Sequence, residues 1–222
     1  TPLIRLTMRV LLKVGFVSTA LVALFIFTGC GTGHTGWQSD VVKDNMSFTK
    51  LRYTLNEQDT TSIIGLLKND TEIMGIPCKA GWIHFTSQWK PKDFCLSRAH
   101  TFRNVDLPAE AWIAIHPDND RFSVVYPTDT LIKGYNIKGG GGMNGVQTTY
   151  YSSGALRQFF PASETVIDDI ECQGGIFHPV TLHENGRLMS CTLNGEITAE
   201  DRTISSGTDI KIDTAGIITA KE

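Results

Sequence analysis

From Phe48 onward, apolar side chains fall at alternate positions in short runs, the period that turns one side of an extended chain towards a core. Leu51-Arg52-Tyr53-Thr54-Leu55, Trp82-Ile83-His84-Phe85 and Trp112-Ile113-Ala114-Ile115 open the series, and Thr148-Thr149-Tyr150, Val180-Thr181-Leu182 and Ile210-Lys211-Ile212 continue it. Each run leads into a polar turn, at residues 56–59, 88–92, 116–120, 152–154, 184–186 and 214–216. Asn, Asp, Gly and Pro at those tips supply the backbone freedom and local hydrogen bonds that hairpins need. The spacing between units is about 30 residues, within the range of repeat architectures. One hairpin cannot bury its own apolar side, so successive hairpins must stack on a shared core. The pattern predicts an all-β fold over residues 48–222, an elongated array of about five or six β-hairpin repeats. A β-sandwich of the same strands is the alternative.

The N-terminal region follows another rule. Met8 reads as the natural start, with residues 1–7 as upstream sequence; Arg9 and Lys13 then precede an apolar run over residues 14–27. A basic start, a short apolar stretch and small residues at its end predict a signal helix over residues 1–29, shorter than the roughly 20 apolar residues of a membrane span. Phe27-Thr28-Gly29-Cys30 resembles the bacterial lipobox, with Phe27 standing where that motif has Leu. An ordinary signal peptide with a cysteine close by is the competing reading. The resemblance implies cleavage before Cys30, a lipid on that cysteine, and a place on the periplasmic side of the outer membrane or on the cell surface. Residues 30–47 then read as the lipidated cysteine followed by a flexible linker that begins Gly31-Thr32-Gly33-His34-Thr35-Gly36.

Within the repeats, Asn185-Gly186-Arg187-Leu188 is similar to the turn of MORN-type hairpin repeats, a resemblance that implies stacked hairpins. Ile76-Pro77-Cys78-Lys79-Ala80-Gly81-Trp82 also lines up with Leu107-Pro108-Ala109-Glu110-Ala111-Trp112, one residue shorter.

Charge narrows the partners. The 20 basic residues fall to 17 when Arg5, Arg9 and Lys13 leave with the leader, against 23 acidic ones, so the formal charge goes from −3 to −6. An acidic chain argues against nucleic acid, which demands clustered Lys and Arg. The membrane, through Cys30, and an envelope protein or glycan are the expected partners.

Four cysteines remain after Cys30. Cys78 and Cys95 fall in one unit, Cys172 and Cys191 in another, at similar spacings. Disulfides Cys78–Cys95 and Cys172–Cys191 suit an oxidising compartment, each closing a loop worth about 3 kcal/mol on a chain-entropy estimate. Buried thiols are the alternative. No Cys-x-x-Cys or His pair at ligand spacing suggests a metal, and no motif suggests a cofactor.

Candidate chemistry is sparse. His116 and His183 share the first turn position of their units and read as turn caps, while His84 should point away from the core. Asp168-Asp169 reads as a connector, since neighbouring strand residues face opposite sides. The Gly139-Gly140-Gly141-Gly142 stretch lacks the Lys-Ser or Lys-Thr of a phosphate loop and reads as a mobile edge loop. Trp89, beside Lys90 and Pro91 in a turn, should be exposed and is the candidate binding residue. No catalytic residue is expected. The alternatives are an envelope hydrolase whose residues converge only in three dimensions, and a structural spacer.

Overall fold

The computed structural model describes residues 32–56, 59–199 and 201–220; the expected signal peptide and Cys30 lie outside them. Strands β1 (Thr32–His34) and β2 (Gln38–Lys43) lie along one edge. A long hairpin β3 (Met46–Asn56) and β4 (Asp59–Leu67) follows, then a short one, β5 (Thr71–Ile73) and β6 (Ile76–Cys78). That alternation continues with β7 (Gly81–Thr86) and β8 (Pro91–Cys95), β9 (His100–Phe102) and β10 (Val105–Leu107), and β11 (Trp112–His116) and β12 (Arg121–Val125). Next come β13 (Thr130–Ile132) and β14 (Tyr135–Ile137), β15 (Gln147–Tyr150) and β16 (Leu156–Phe159), and β17 (Thr165–Ile167) and β18 (Ile170–Cys172). The chain closes with β19 (Val180–Leu182) and β20 (Leu188–Thr192), β21 (Ile197–Ala199) and β22 (Arg202–Ile204), and β23 (Asp209–Ile212) and β24 (Ile218–Ala220).

The long hairpins, joined edge to edge in chain order, form an antiparallel sheet of 14 strands that includes β1 and β2. The five short hairpins are separate two-stranded units. They lie over one face of the sheet: Phe102 of β9 packs edge-on against Phe94 and Phe122, and Tyr135 of β14 stacks on Phe159 at 5.1 Å. The core lies between these two layers, from Met46 to Ile212. The all-β hairpin array is therefore the fold, six long hairpins deep, with an added second layer.

Local chemistry explains the short hairpins. Each of the first four turns on two residues with positive φ: Met74-Gly75, Arg103-Asn104, Lys133-Gly134 and Asp168-Asp169. That conformation matches the right-handed twist of the flanking strands. Asp168-Asp169 is thus a turn rather than an extended connector. The Asp168 carboxylate accepts a hydrogen bond from the Leu188 backbone N–H at 2.7 Å and ties this tip to the next long hairpin.

Three further expectations change. Residues 32–43 are not a flexible linker: β1 pairs with Thr54–Asn56, β2 pairs with the start of β3, and both occupy a strand edge that would otherwise be unpaired. The glycine loop is pinned by Gly140 N–H to Tyr126 O at 2.8 Å and Gly139 N–H to an Asp129 carboxylate oxygen at 3.0 Å. That last bond, with Lys138 alongside, holds the Asp129 carboxyl below its usual range. The Ile76-Pro77 and Leu107-Pro108 strings are not equivalent either, because Cys78 and Leu107 are the matching ends of β6 and β10.

One core position is imperfect. Thr148 faces inward opposite Val124, is fully buried, and its hydroxyl has no partner. An unpaired buried hydroxyl costs about 1–3 kcal/mol. Thr148→Val should therefore raise the urea midpoint, by a gain of about 1 kcal/mol; a loss of stability would show that the hydroxyl is paired in solution.

Candidate functional site

The face of the sheet away from the short hairpins carries one register row across twelve strands. It runs Arg52, Ile64, His84, Asp93, Ala114, Ser123, Thr149, Gln158, Thr181, Ser190, Lys211 and Thr219, each opposite the next. Alternation along each strand sends their apolar neighbours inward, so this outer face is polar by register.

At the N-terminal end of the row, the loop between β1 and β2 folds Trp37 over the outer face. The Arg52 guanidinium carbon lies 4.6 Å from the Trp37 ring centroid, and the Trp37 and Trp82 rings are 5.7 Å apart, tilted by 56°. Both indoles remain open to solvent, at 43% and 38% exposure. The aromatic partner of Trp82 is Trp37, from a loop more than forty residues earlier in the chain. Lys50 lies two positions before Arg52 on the same side, and among the described residues neither cation has a carboxylate partner. Exposed indoles and an unpaired guanidinium on an open face are the composition of contact hot spots.

Trp89 is not exposed as expected. It is half-buried and packs on Phe85 at 5.3 Å, Phe48 at 6.2 Å and Tyr53 at 6.3 Å, with the Lys43 ammonium 5.0 Å from its ring centroid. It closes one end of the core. Its positive φ of 62° folds the turn back over the sheet, which composition does not reveal.

The histidines divide by face and turn. His84 points outward and bonds Asp93 at 3.0 Å. His183 lies 2.9 Å from the Ile212 carbonyl, to which its ring N–H donates, and Tyr151 in the same turn place donates to the Leu182 carbonyl at 2.9 Å. Both side chains staple one long hairpin to the next, so His183 does not cap its own turn as expected. His116 instead bonds Ser123 at 2.9 Å across its own hairpin. That imidazole–hydroxyl pair is half of a nucleophile's machinery. Ser123 is buried and also contacts the Thr149 hydroxyl at 3.4 Å, and the surrounding backbone N–H groups belong to the sheet ladder, leaving no donors for an oxyanion.

The cysteines differ from their expected symmetry. All four are buried thiols. Cys172 and Cys191 both face the core, within side-chain hydrogen-bond reach of each other. Cys95 sits opposite Trp112, one residue past the inward Phe94, and lies outside the core cluster that contains Cys78. A shift of one residue in a strand reverses the face. The two pairs therefore do not share a column.

Burial holds several of these groups in their neutral form. It pushes the Cys78 thiol up to about 12 and the Tyr126 phenol to about 12 and raises Tyr150 as well, while a hydrogen bond with the Cys191 thiol, and then burial, raises Cys172. In the unfolded chain, Cys and Tyr release protons near 9.0 and 10.0, while the native state keeps them to about 12. Stability should be full below pH 9.0 and fall as pH rises through this interval, since the unfolded state then binds fewer protons. Urea midpoints should decline across it; a flat profile would show that these groups are open to water.

Among the described residues, no group of three or more His, Cys, Asp or Glu is placed to hold a metal ion. A depression of about 720 Å³ is open and lined by polar residues including Ser163, Glu164, His178 and Asn194. No family model, curated protein or solved structure matches this chain.

Proposed function

We propose that this chain is a lipid-anchored protein of the bacterial cell envelope, cleaved and lipidated at Cys30, whose hairpin array acts as a non-catalytic module for protein or glycan contact. The observation that carries the reading is the open outer face, where a polar row runs in register from His84 to Thr219, beyond the exposed indoles of Trp37 and Trp82. A flat antiparallel sheet presents backbone-fixed side chains in register, a surface suited to binding rather than to enclosing a substrate. The hairpin unit with its Asn185-Gly186 turn supports grouping these repeats, distantly, with the MORN type. Export also favours a Cys172–Cys191 disulfide, whose thiols already meet.

A cross-linked pull-down from intact cells tests the module, with the full-length protein compared with Cys30→Ser. The same envelope protein or glycan should be recovered with the anchored form and lost with Gln158→Ala/Lys211→Ala in the polar row. Recovery that ignores both changes would remove the proposed surface.

A further inference from the structure

The Trp37–Trp82 patch lies at one end of the array, the end at which the chain leaves the proposed anchor. Gly31 alone separates Cys30 from β1, and β1 is already hydrogen-bonded into the sheet along Thr54–Asn56. Trp37 lies seven positions after Cys30, a reach of at most about 25 Å even when fully extended. A lipid on Cys30 would therefore hold this edge of the domain next to the bilayer rather than on a tether.

The chemistry of the edge suits such a neighbour. Indoles combine an apolar body with a polar N–H and settle at membrane–water boundaries. Lys50 and Arg52 stand beside them, and among the described residues neither is paired with a carboxylate. Cations close to a membrane surface are drawn to its anionic headgroups, and the acidic Asp40 and Asp44 at the same edge are each paired with a lysine, Lys68 and Lys43. Val42 of β2, 71% exposed and opposite Ser47, adds apolar surface at the same edge.

We infer that Trp37, Trp82, Lys50 and Arg52 form a seat for the bilayer surface, holding the domain down on the membrane that the anchor enters. This rests on the lipid-anchor reading and gives the outer face a fixed orientation. The row from His84 to Thr219 then extends away from the seated end, and contacts with other partners belong to that part of the sheet.

The test uses the full-length protein, purified from its host membrane and reconstituted in phosphatidylcholine–phosphatidylglycerol vesicles with brominated acyl chains. Mass spectrometry of the N-terminal peptide reads the state of Cys30 separately. Tryptophan emission should be quenched by the bromolipid, and the double variant Trp37→Phe/Trp82→Phe should lose at least half of that quenching with its urea midpoint preserved. Lys50→Gln/Arg52→Gln should weaken quenching at low salt and much less at high salt. A lipidated Cys30 with unquenched indoles would overturn the seat and leave the anchor standing. Shielding from aqueous acrylamide without bromolipid quenching would assign the patch to another ligand and also overturn it. An unmodified Cys30 would overturn both readings.

Discussion

Phe122→Ala should unfold this domain more readily than any other single truncation considered, by about 3–5 kcal/mol. The ring is fully buried, stacked on Tyr150 at 5.1 Å and 12° and set edge-on to Phe102 at 5.2 Å and 80°. Phe102 belongs to a short hairpin and Tyr150 to the next long one, so one ring joins both layers and two successive units. Removing it leaves a cavity where neither layer can collapse without the other moving. Urea unfolding followed by near-ultraviolet dichroism measures the loss. Phe177→Ala, at a ring 82% exposed, serves as the control and should stay within about 0.5 kcal/mol of the parent. A loss below about 1 kcal/mol at Phe122 would mean that the two layers are not packed through it.

Gly154→Ala should cost about 2–4 kcal/mol, from two sources. Gly154 has φ of +85°, which any side chain resists, and a Cβ there would lie 2.2 Å from the Arg103 carbonyl oxygen. The obstacle is backbone, so no rotamer relieves it. The Arg103-Asn104 tip, tied to the Ser153 carbonyl through the Asn104 amide at 3.3 Å, would have to lift off the turn of the β15–β16 hairpin. Gly186 isolates the second source. It occupies the matching turn with φ of +87° and has no atom within 4 Å of its Cβ position. Gly186→Ala should therefore show only the conformational penalty, about 1 kcal/mol. Equal losses at the two positions would mean that the short-hairpin tips do not bear on the long-hairpin turns.

The long hairpins were legible because a half-buried strand must alternate and a tight turn needs special residues. The six expected runs all lie in first strands of long hairpins, from Leu51 in β3 to Ile212 in β23. The short hairpins were written in the sequence too, as Thr71-Glu72-Ile73-Met74-Gly75-Ile76-Pro77-Cys78 and its counterparts. Three-residue strands carry too little periodicity to separate them from loops, although a two-residue Gly, Asn or Asp turn recurs in the same place.

The sequence by itself determined the all-β class, the hairpin repeat and the outward side of His84, because each follows from the order of neighbouring residues. Only the tertiary structure decided which face each column took. Cys95 and Cys191 part company over a register difference of one residue, and Trp89 turns inward because a positive φ at the turn folds it onto Phe85. The Trp37–Arg52–Trp82 patch was out of reach for the same reason. Its members come from a loop, β3 and β7, and strand pairing over tens of residues brings them together. Local pattern fixes which residues alternate; long-range register fixes what they meet.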